Sequence, residues 1–225
     1  MKENLFEMHV HTSEVSTCAI LSAEEVIKKY SESGYKGLVL TDHMNERTFR
    51  NMSNPQWHDM VEHYLSGYRK MKSILIPDFT VLLGMEITFK ENFNDYLIYG
   101  LDEDFLFNNG NLMDLGIREF RKLADKNNLL VFQAHPFRVD MTVTDPYLLD
   151  GIEIYNGNSS HNSSNDIANI WADKFGLRKI SGSDFHYFWG MAPGGLIFED
   201  TIKDNKDLTE ALRNNRFRIK NKNHL

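Results

Sequence analysis

The sequence predicts an α/β fold in which parallel strands, alternating with helices, form a closed or nearly closed barrel. Two observations carry this. Six short apolar runs each end at or beside a residue able to bind a metal: FEMHVH (His9, His11), LVLTDH (Asp42, His43), VLLGMEI (Glu86), LLVFQAHP (His135), IEIYNG (Glu153, Asn156) and KISGSDFH (Asp184, His186). Between the runs, apolar residues recur at helical spacing. Ligands at the ends of successive parallel strands reach one face, and in barrel folds that face holds the active site.

The elements follow in order. FEMHVH is the first strand. Ser22 and Glu25 then form an S-x-x-E capping box, and Ala23, Val26, Ile27 and Tyr30 share one helical face, with Gly34 as the C-terminal cap. GLVLTDH is the second strand. Residues 55–74 carry Trp57, Met60, Val61, Tyr64, Leu65, Tyr68 and Met71 at helical spacing. TVLLGMEIT is a strand, and NDYLIYGL is a further one, a candidate hairpin partner. Ile117, Phe120, Leu123 and Ala124 mark a helix before LLVFQAHP. After GIEIYNG, Asn165 is placed to cap a helix carrying Ile167, Ile170, Trp171 and Phe175, closed by Gly176. KISGSDFH and GGLIFED follow, and Leu208, Ala211 and Leu212 mark the last helix. Seven strands plus the hairpin run are fewer than an eightfold barrel needs. With no internal repeat or low-complexity linker, residues 1–225 are expected to form one domain.

Composition narrows the class. The chain has 225 residues, 41% hydrophobic and 25% charged, as in ordinary globular proteins. No apolar stretch suits a membrane span, and the N-terminus lacks the apolar region of a signal peptide. One cysteine excludes an internal disulfide. A cytoplasmic protein with no membrane partner is the expectation. The net charge of -7 argues against the nucleic-acid backbone as a partner and is compatible with a small anionic substrate beside bound cations. There is no GxSxG elbow, Walker loop or GxGxxG motif, so a serine triad, P-loop chemistry and hydride transfer have no support.

The chemistry lies at the strand ends. His9 and His11, two apart on a strand, point to one face. Imidazole suits zinc, iron and manganese. His43 is a further ligand candidate, and Asp42 is placed to orient it or another histidine. Glu86, after VLLGM, is a carboxylate that would be costly to bury alone; bridging two cations removes that cost, and a lysine partner is the alternative. Pro136 stops the strand before it, which puts His135 at the strand's upper end. Asp184 and His186 repeat the same-face spacing, and Gly182 permits close backbone approach. Arg138, three residues after His135, can clamp a phosphate in bidentate fashion, as can Arg47 and Arg50. In the polar stretch after GIEIY, Asn156 can bond a bound water or substrate and His161 can reach a leaving group. Trp189 is close enough to Asp184-x-His186 to wall a pocket, and His224 belongs to the tail.

The ordered set resembles the PHP (polymerase and histidinol phosphatase) family. The matching residues are His9-Val-His11-Thr12, Thr41-Asp42-His43, Gly84-Met85-Glu86, Ala134-His135-Pro136 and Ser181-Gly182-Ser183-Asp184-Phe185-His186. They run in the family's order over nearly the whole chain. The resemblance implies a distorted (β/α)7 TIM-like barrel with up to three metals at the C-terminal ends of its strands. It assigns His9, His11, Glu86 and Asp184 to the first metal, Glu86 and His135 to the second, and His43 and His186 to the third. Two positions depart from the family. Tyr96 stands where many members have a histidine, and the loop TSEVSTCA offers Cys18 or Glu14 where a histidine or aspartate is usual.

The implied function is a phosphoesterase using two or three divalent ions (zinc, manganese or iron) on a small phosphorylated substrate such as a histidinol-phosphate-like monoester. A water shared by two cations would attack phosphorus, with Glu86, His135, Asp184, His186 and Arg138 as the catalytic set. The alternatives within the family are a phosphodiesterase or exonuclease and a protein-tyrosine phosphatase. A non-catalytic metal-binding module, favoured by Tyr96, is the alternative of another class.

Overall fold

The computed structural model describes residues 3–187 and 194–220; Trp189 and His224 lie outside the described residues. In chain order the elements are β1 (Asn4–Val10), α1 (Ala23–Glu32), β2 (Gly37–Leu40), β3 (His43–Met44), α2 (Glu46–Phe49), α3 (Trp57–Lys72), β4 (Thr80–Leu83), β5 (Met85–Thr88) and β6 (Asp95–Tyr99). Then come α4 (Glu103–Asn108), α5 (Gly116–Lys126), β7 (Leu130–Gln133), β8 (Gly151–Asn156), α6 (Asn165–Phe175), β9 (Arg178–Gly182), β10 (Leu196–Phe198), α7 (Asn205–Arg213) and β11 (Phe217–Ile219).

The strands form two sheets, ordered β11-β10-β1-β2-β4 and β3-β5-β6-β7-β8-β9. The expected parallel pairing holds for β1-β2-β4, for β3-β5 and for β7-β8-β9. β6 runs antiparallel to both β5 and β7, and β10 runs antiparallel to β1 and β11. The chain passes between sheets where β2 gives way to β3 at Thr41–Asp42 and where β4 gives way to β5 at Gly84. At the opposite edge β1 meets the end of β9. There Val10 forms an isolated bridge to Phe185, and the Asp184 N–H donates to the His9 carbonyl at 2.8 Å.

Helix capping follows the sequence reading at α1 and departs from it at α6. Ser22 and Glu25 form the reciprocal box at the start of α1, which buries Ala23, Val26, Ile27 and Tyr30. At α6, Asn165 is not the cap. Ser164 precedes the helix, and the Asn165 amide instead bonds the backbone of Asn156 in both directions. Ile167, Ile170 and Phe175 face outward, and the buried residues of α6 are Ala168 and Ala172. In α3, Gly67 sits where a Cβ would lie 2.5 Å from the Thr12 hydroxyl, so the helix can lie against the β1 loop only because that position has no side chain.

Apolar burial divides into layers. Phe6, Met8, Val39, Leu97, Tyr99 and Phe132 cluster with α7. Tyr64, Leu65, Ile87, Tyr96 and Phe120 cluster under α3 and α5. Fully burying each such side chain stabilises by roughly 1.5–3 kcal/mol. Among the described residues no helix is long and apolar enough to cross a membrane.

Candidate metal centre

The strand ends bring seven side chains able to bind a metal to one cluster, with Asp95 beside His135. His9 and His11 come from β1 and its end, His43 from β3, Glu86 from β5, Asp95 from β6 and His135 from the end of β7. Asp184 and His186 come from the segment after β9. His9, His11 and Glu86 are fully buried. Glu86 Oε1 lies 3.2 Å from both His9 Nε2 and His135 Nε2. Its Oε2 lies 3.3 Å from His11 Nε2 and 2.7 Å from His43 Nδ1. Asp184 Oδ1 is 3.3 Å from His11 Nε2 and 3.5 Å from His9 Nε2.

These spacings suit a cation. Four ligands held tetrahedrally about 2.0–2.1 Å from an ion lie roughly 3.3 Å apart. His9 Nε2, His11 Nε2, His43 Nδ1 and Glu86 Oε2 are buried without a partner in hydrogen-bond geometry among the described residues. Orphaned buried polar atoms are costly, and an ion at their common centre would satisfy them together. Three sets hold their ligand atoms within 4.8 Å of one another: His9, His11 and Asp184; His9, Glu86 and His135; and His11, His43 and His186.

Surrounding hydrogen bonds orient the His9, His11 and His186 rings. His9 Nδ1 is 2.9 Å from Glu153 Oε1, so its Nδ1–H donates outward and Nε2 faces the centre. Glu153 Oε2 also accepts the His135 N–H at 3.0 Å and the Asn156 amide at 2.9 Å. Asp42 accepts from the Thr12 N–H, the Thr12 hydroxyl and the Ser16 hydroxyl. With its proton given to Asp42, Ser16 accepts from the His43 N–H at 3.0 Å and lies 3.3 Å from His11 Nδ1. Asp42 thus acts on His11 through Ser16. His186 Nδ1 lies 2.9 Å from the Asp184 carbonyl. His135 and Asp184 hold left-handed backbone, with φ of 27° and 49°, conformations that side-chain-bearing residues keep mainly where surrounding contacts enforce them.

The electrostatics match a site that exchanges protons for cations. Burial opposes protonation of His9, yet Glu86, Asp184 and Glu153 hold its pKa well above the usual imidazole range. His43 is likewise raised against burial, by Glu86 first. His186 is raised to about 10 against burial by Asp184. Burial and the neighbouring His43 and His186 push His11 well down. Burial works against the charged form of Glu86, but His9 and His43 hold its pKa well below the ordinary carboxylate range.

Two expected residues lie elsewhere. Tyr96 does not reach the centre: its hydroxyl meets Thr144 at 2.8 Å and its ring packs on Phe89. The ladder explains this. Glu86 pairs with Leu97 and Thr88 with Asp95, and directly opposed residues point to one face, so Asp95 shares the face of Glu86 while Tyr96 shares that of Ile87. Asp95 Oδ2 is 3.8 Å from His135 Nε2. Sequence reading missed Asp95; counting by twos from Glu86 to Thr88 and across the hairpin finds it. Glu14 also turns away, pairing with Lys70 at 2.6 Å and accepting the Ala23 N–H. Cys18 is half-buried and lines the same cavity as His43 and His186. Burial raises that thiol and the two imidazoles lower it, to about 6 overall.

The cluster floors an open cavity of about 600 Å³ whose lining includes Cys18, Arg47, Phe93, Arg138 and His161. Arg50 is exposed and does not line it. His161 Nε2 and the Asn158 amide each lie 3.3 Å from Asp184 Oδ2, and the Asn156 amide is 3.1 Å from it.

Comparison with known proteins agrees with this arrangement. No curated protein matches the chain. Among solved structures, one similar protein is a two-domain protein from Bacteroides vulgatus containing a predicted PHP-like metal-dependent phosphoesterase. It is 16% identical at a TM-score of 0.62, and the match covers 96% of this chain and 64% of that one, just under two thirds of its length. PsfC from Pseudomonas syringae is 13% identical over 93% of this chain and 88% of its own, with a TM-score of 0.68. The lesion-specific endonuclease PfuEndoQ from Pyrococcus furiosus is 12% identical over 96% of this chain and 57% of its own, with a TM-score of 0.61. At these identities the likeness is one of fold. Family models match more directly: a PHP-associated region at residues 162–217 and the PHP domain at residues 7–182. The PHP match takes in the histidine pair of β1, the Asp42–His43 step, Glu86 and His135, and the chain belongs to the PHP domain family.

Proposed function

We propose that this chain hydrolyses a phosphate ester of a small phosphorylated compound. The observation that carries the reading is the convergence of seven side chains able to bind a metal, with Asp95 beside His135, at an open cavity with Arg47 and Arg138 in its lining. Two or three divalent cations, zinc, manganese or iron, would be held by His9, His11 and Asp184, by Glu86, Asp95 and His135, and by His43, His186 and Cys18. Bound there, they supply Lewis acidity, acidifying water and offsetting phosphate charge. The two sheets, joined at the β1–β9 seam, are read as a distorted (β/α)7 TIM-like barrel with added antiparallel strands, forming one domain.

The protein's own groups do the rest. Glu86 faces different histidines with its two oxygens and would help to hold more than one cation. Arg138 and Arg47 clamp the non-bridging phosphate oxygens and set the phosphorus in line with the attacking water. As the water oxygen bonds to phosphorus, the bond to the alcohol oxygen breaks. His161, held by Asp184, gives its proton to that oxygen. The proton lost by the water leaves through the open mouth, and no covalent phosphoryl-enzyme forms.

The test is elemental analysis of the purified protein beside phosphate release from a panel of metabolite phosphates with added manganese or zinc. Two or three ions per chain and turnover of one ester class are expected, with His135→Ala abolishing turnover while the circular-dichroism spectrum is kept. A lesion-bearing oligonucleotide belongs in the panel, because one structural neighbour is a lesion-specific endonuclease. Strand cleavage without phosphate release would replace the small substrate with nucleic acid. Full metal loading with no turnover of any ester would leave a non-catalytic metal-binding module.

A further inference from the structure

The open cavity of about 600 Å³ has room for more than a phosphate group, so part of its wall meets the rest of the substrate. One stretch of that wall is apolar. Phe93 is 77% exposed and Val139 76%, and of the exposed large apolar side chains among the described residues these two line the cavity. Lone apolar side chains on a surface are ordinary. These two share their cavity with metal-ligating residues and with two unpaired arginines. Arg69, Arg121 and Arg216 each meet a carboxylate, whereas Arg47 and Arg138 meet none among the described ion pairs. The apolar pair is also held in place. Phe93 sits on the turn between β5 and β6, and Val139 on the loop after β7, next to Arg138. Asn94, buried beside Phe93 in the chain, joins the turn to the loop: its Oδ1 accepts the Thr142 N–H at 2.8 Å, and its amide donates to the Thr144 hydroxyl at 3.2 Å. Gln133, fully buried, donates to the Thr142 carbonyl at 2.8 Å and accepts the Thr144 N–H at 3.0 Å. Buried amides stripped of such partners are costly, so turn and loop stay joined and the apolar rim is built before any substrate arrives.

We propose that Phe93 and Val139 form a ledge that selects phosphate esters whose alcohol carries an aromatic ring. With the phosphate at the metal-ligating cluster and Arg138, the ring of the alcohol rests on Phe93 and Val139. Covering them removes apolar surface from water, and a ring against Phe93 gains the offset or edge-on contact that aromatic pairs favour. A polyol or a short alcohol gains neither. Asp140, the acidic residue of that loop and also in the cavity lining, opposes a second anionic group on the alcohol. A ledge that holds only the alcohol's ring binds ground state and transition state alike, so it lowers KM and leaves kcat unchanged.

This inference rests on the phosphoesterase reading, and its test separates the two. Manganese-loaded protein is assayed with phenethyl phosphate and ethyl phosphate, whose leaving alcohols are of nearly equal acidity. Binding of the matching phosphonates, in which carbon replaces the ester oxygen and no hydrolysis can occur, is measured by calorimetry. The phenethyl compounds are expected to show a KM and a dissociation constant roughly three- to tenfold below those of the ethyl compounds, the range of one aromatic contact, at equal kcat. Phe93→Ala should raise the phenethyl values by that factor and leave the ethyl values and kcat unchanged. Val139→Ser should act in the same direction by less. Both side chains are exposed, so both variants are expected to fold, which thermal melts check. Equal values for the two compounds in the unaltered protein, or a preference that survives both substitutions, would overturn the ledge. Phosphonates that show the preference with no turnover of either ester would keep the ledge and overturn the phosphoesterase reading beneath it.

Discussion

Glu7 carries a buried carboxyl that accepts the N–H groups of Met8, His9 and Ser183, each at 2.9 Å. Burial outweighs those bonds and raises its pKa from 4.5 to about 7. Between these values the folded chain holds a proton that the unfolded chain has lost. Its contribution to stability is complete below the unfolded value and disappears as the pH rises toward 7, a change of about 3 kcal/mol. Glu7→Gln is therefore expected to flatten the fall in melting temperature across that window at fixed metal concentration. An unchanged slope would assign the effect to another group. The supporting carboxylate Glu153 makes a second case. Glu153→Gln deprives His9 Nδ1–H of its charged acceptor and should weaken metal binding by roughly 10–100-fold in a chelator competition. At this scale the sequence was informative where a candidate ligand sits at or beside the end of an apolar run: His9, His11, His43, Glu86, His135, Asp184 and His186 all lie in the cluster. It was silent on Asp95, because which of two adjacent residues faces inward depends on the register of a hairpin whose turn length no local pattern states.

Elements position these residues through close approaches as much as through periodicity. A Cβ on Gly182 would lie 2.3 Å from His9 Cβ, so β9 reaches β1 only with glycine there. Gly182→Ala should cost roughly 1–3 kcal/mol by overpacking and lower the number of ions bound per chain, read by a melt and by elemental analysis. Gly67→Ala would press a methyl to 2.5 Å from the Thr12 hydroxyl and 3.0 Å from Asp42 Oδ2. Helix propensity alone predicts a gain of about 1 kcal/mol for that change. Here the expected outcome is a loss, and a stabilised variant would show that the helix can move off the loop. The capping box of α1 and the span of α3 were legible because they are local. The outward face of α6 was not: its isoleucines have helical spacing, but the sheet beneath needs the small Ala168 and Ala172 for close packing. The antiparallel β6 was open to reading only as a hairpin partner, since direction is a property of the pair.

For the molecule as a whole, metal and fold are linked. Ions bound by the native state alone stabilise it by mass action, by about 2.7 kcal/mol at a concentration one hundred times the dissociation constant. Chelation is expected to lower the melting temperature, and the shift should depend on metal concentration. The raised pKa values of His9, His43 and His186 mean that a cation must displace protons there, so affinity should fall as the pH falls. Zinc titrations in two buffers of different ionisation enthalpy will count the protons released; none released would contradict the charge balance described for the centre. Net charge and composition spoke only of class, and the convergence of distant strand ends was legible as an ordered list of residues. The break into two sheets was not, because it arises from packing across the whole chain.

The seam where β1 meets the end of β9 also orders events in time. His9 is made early in synthesis, yet its backbone carbonyl and ring both await Asp184, whose neighbour Ser183 lies 174 residues further along. A nascent chain on the ribosome can carry His9, His11 and His43 for most of its elongation without the two sets that Asp184 and His186 complete. Contacts so distant in sequence form late and slowly. Two of the three ligand sets, those that include Asp184 or His186, would then be completed only as folding closes, and a chain halted before β9 lacks both.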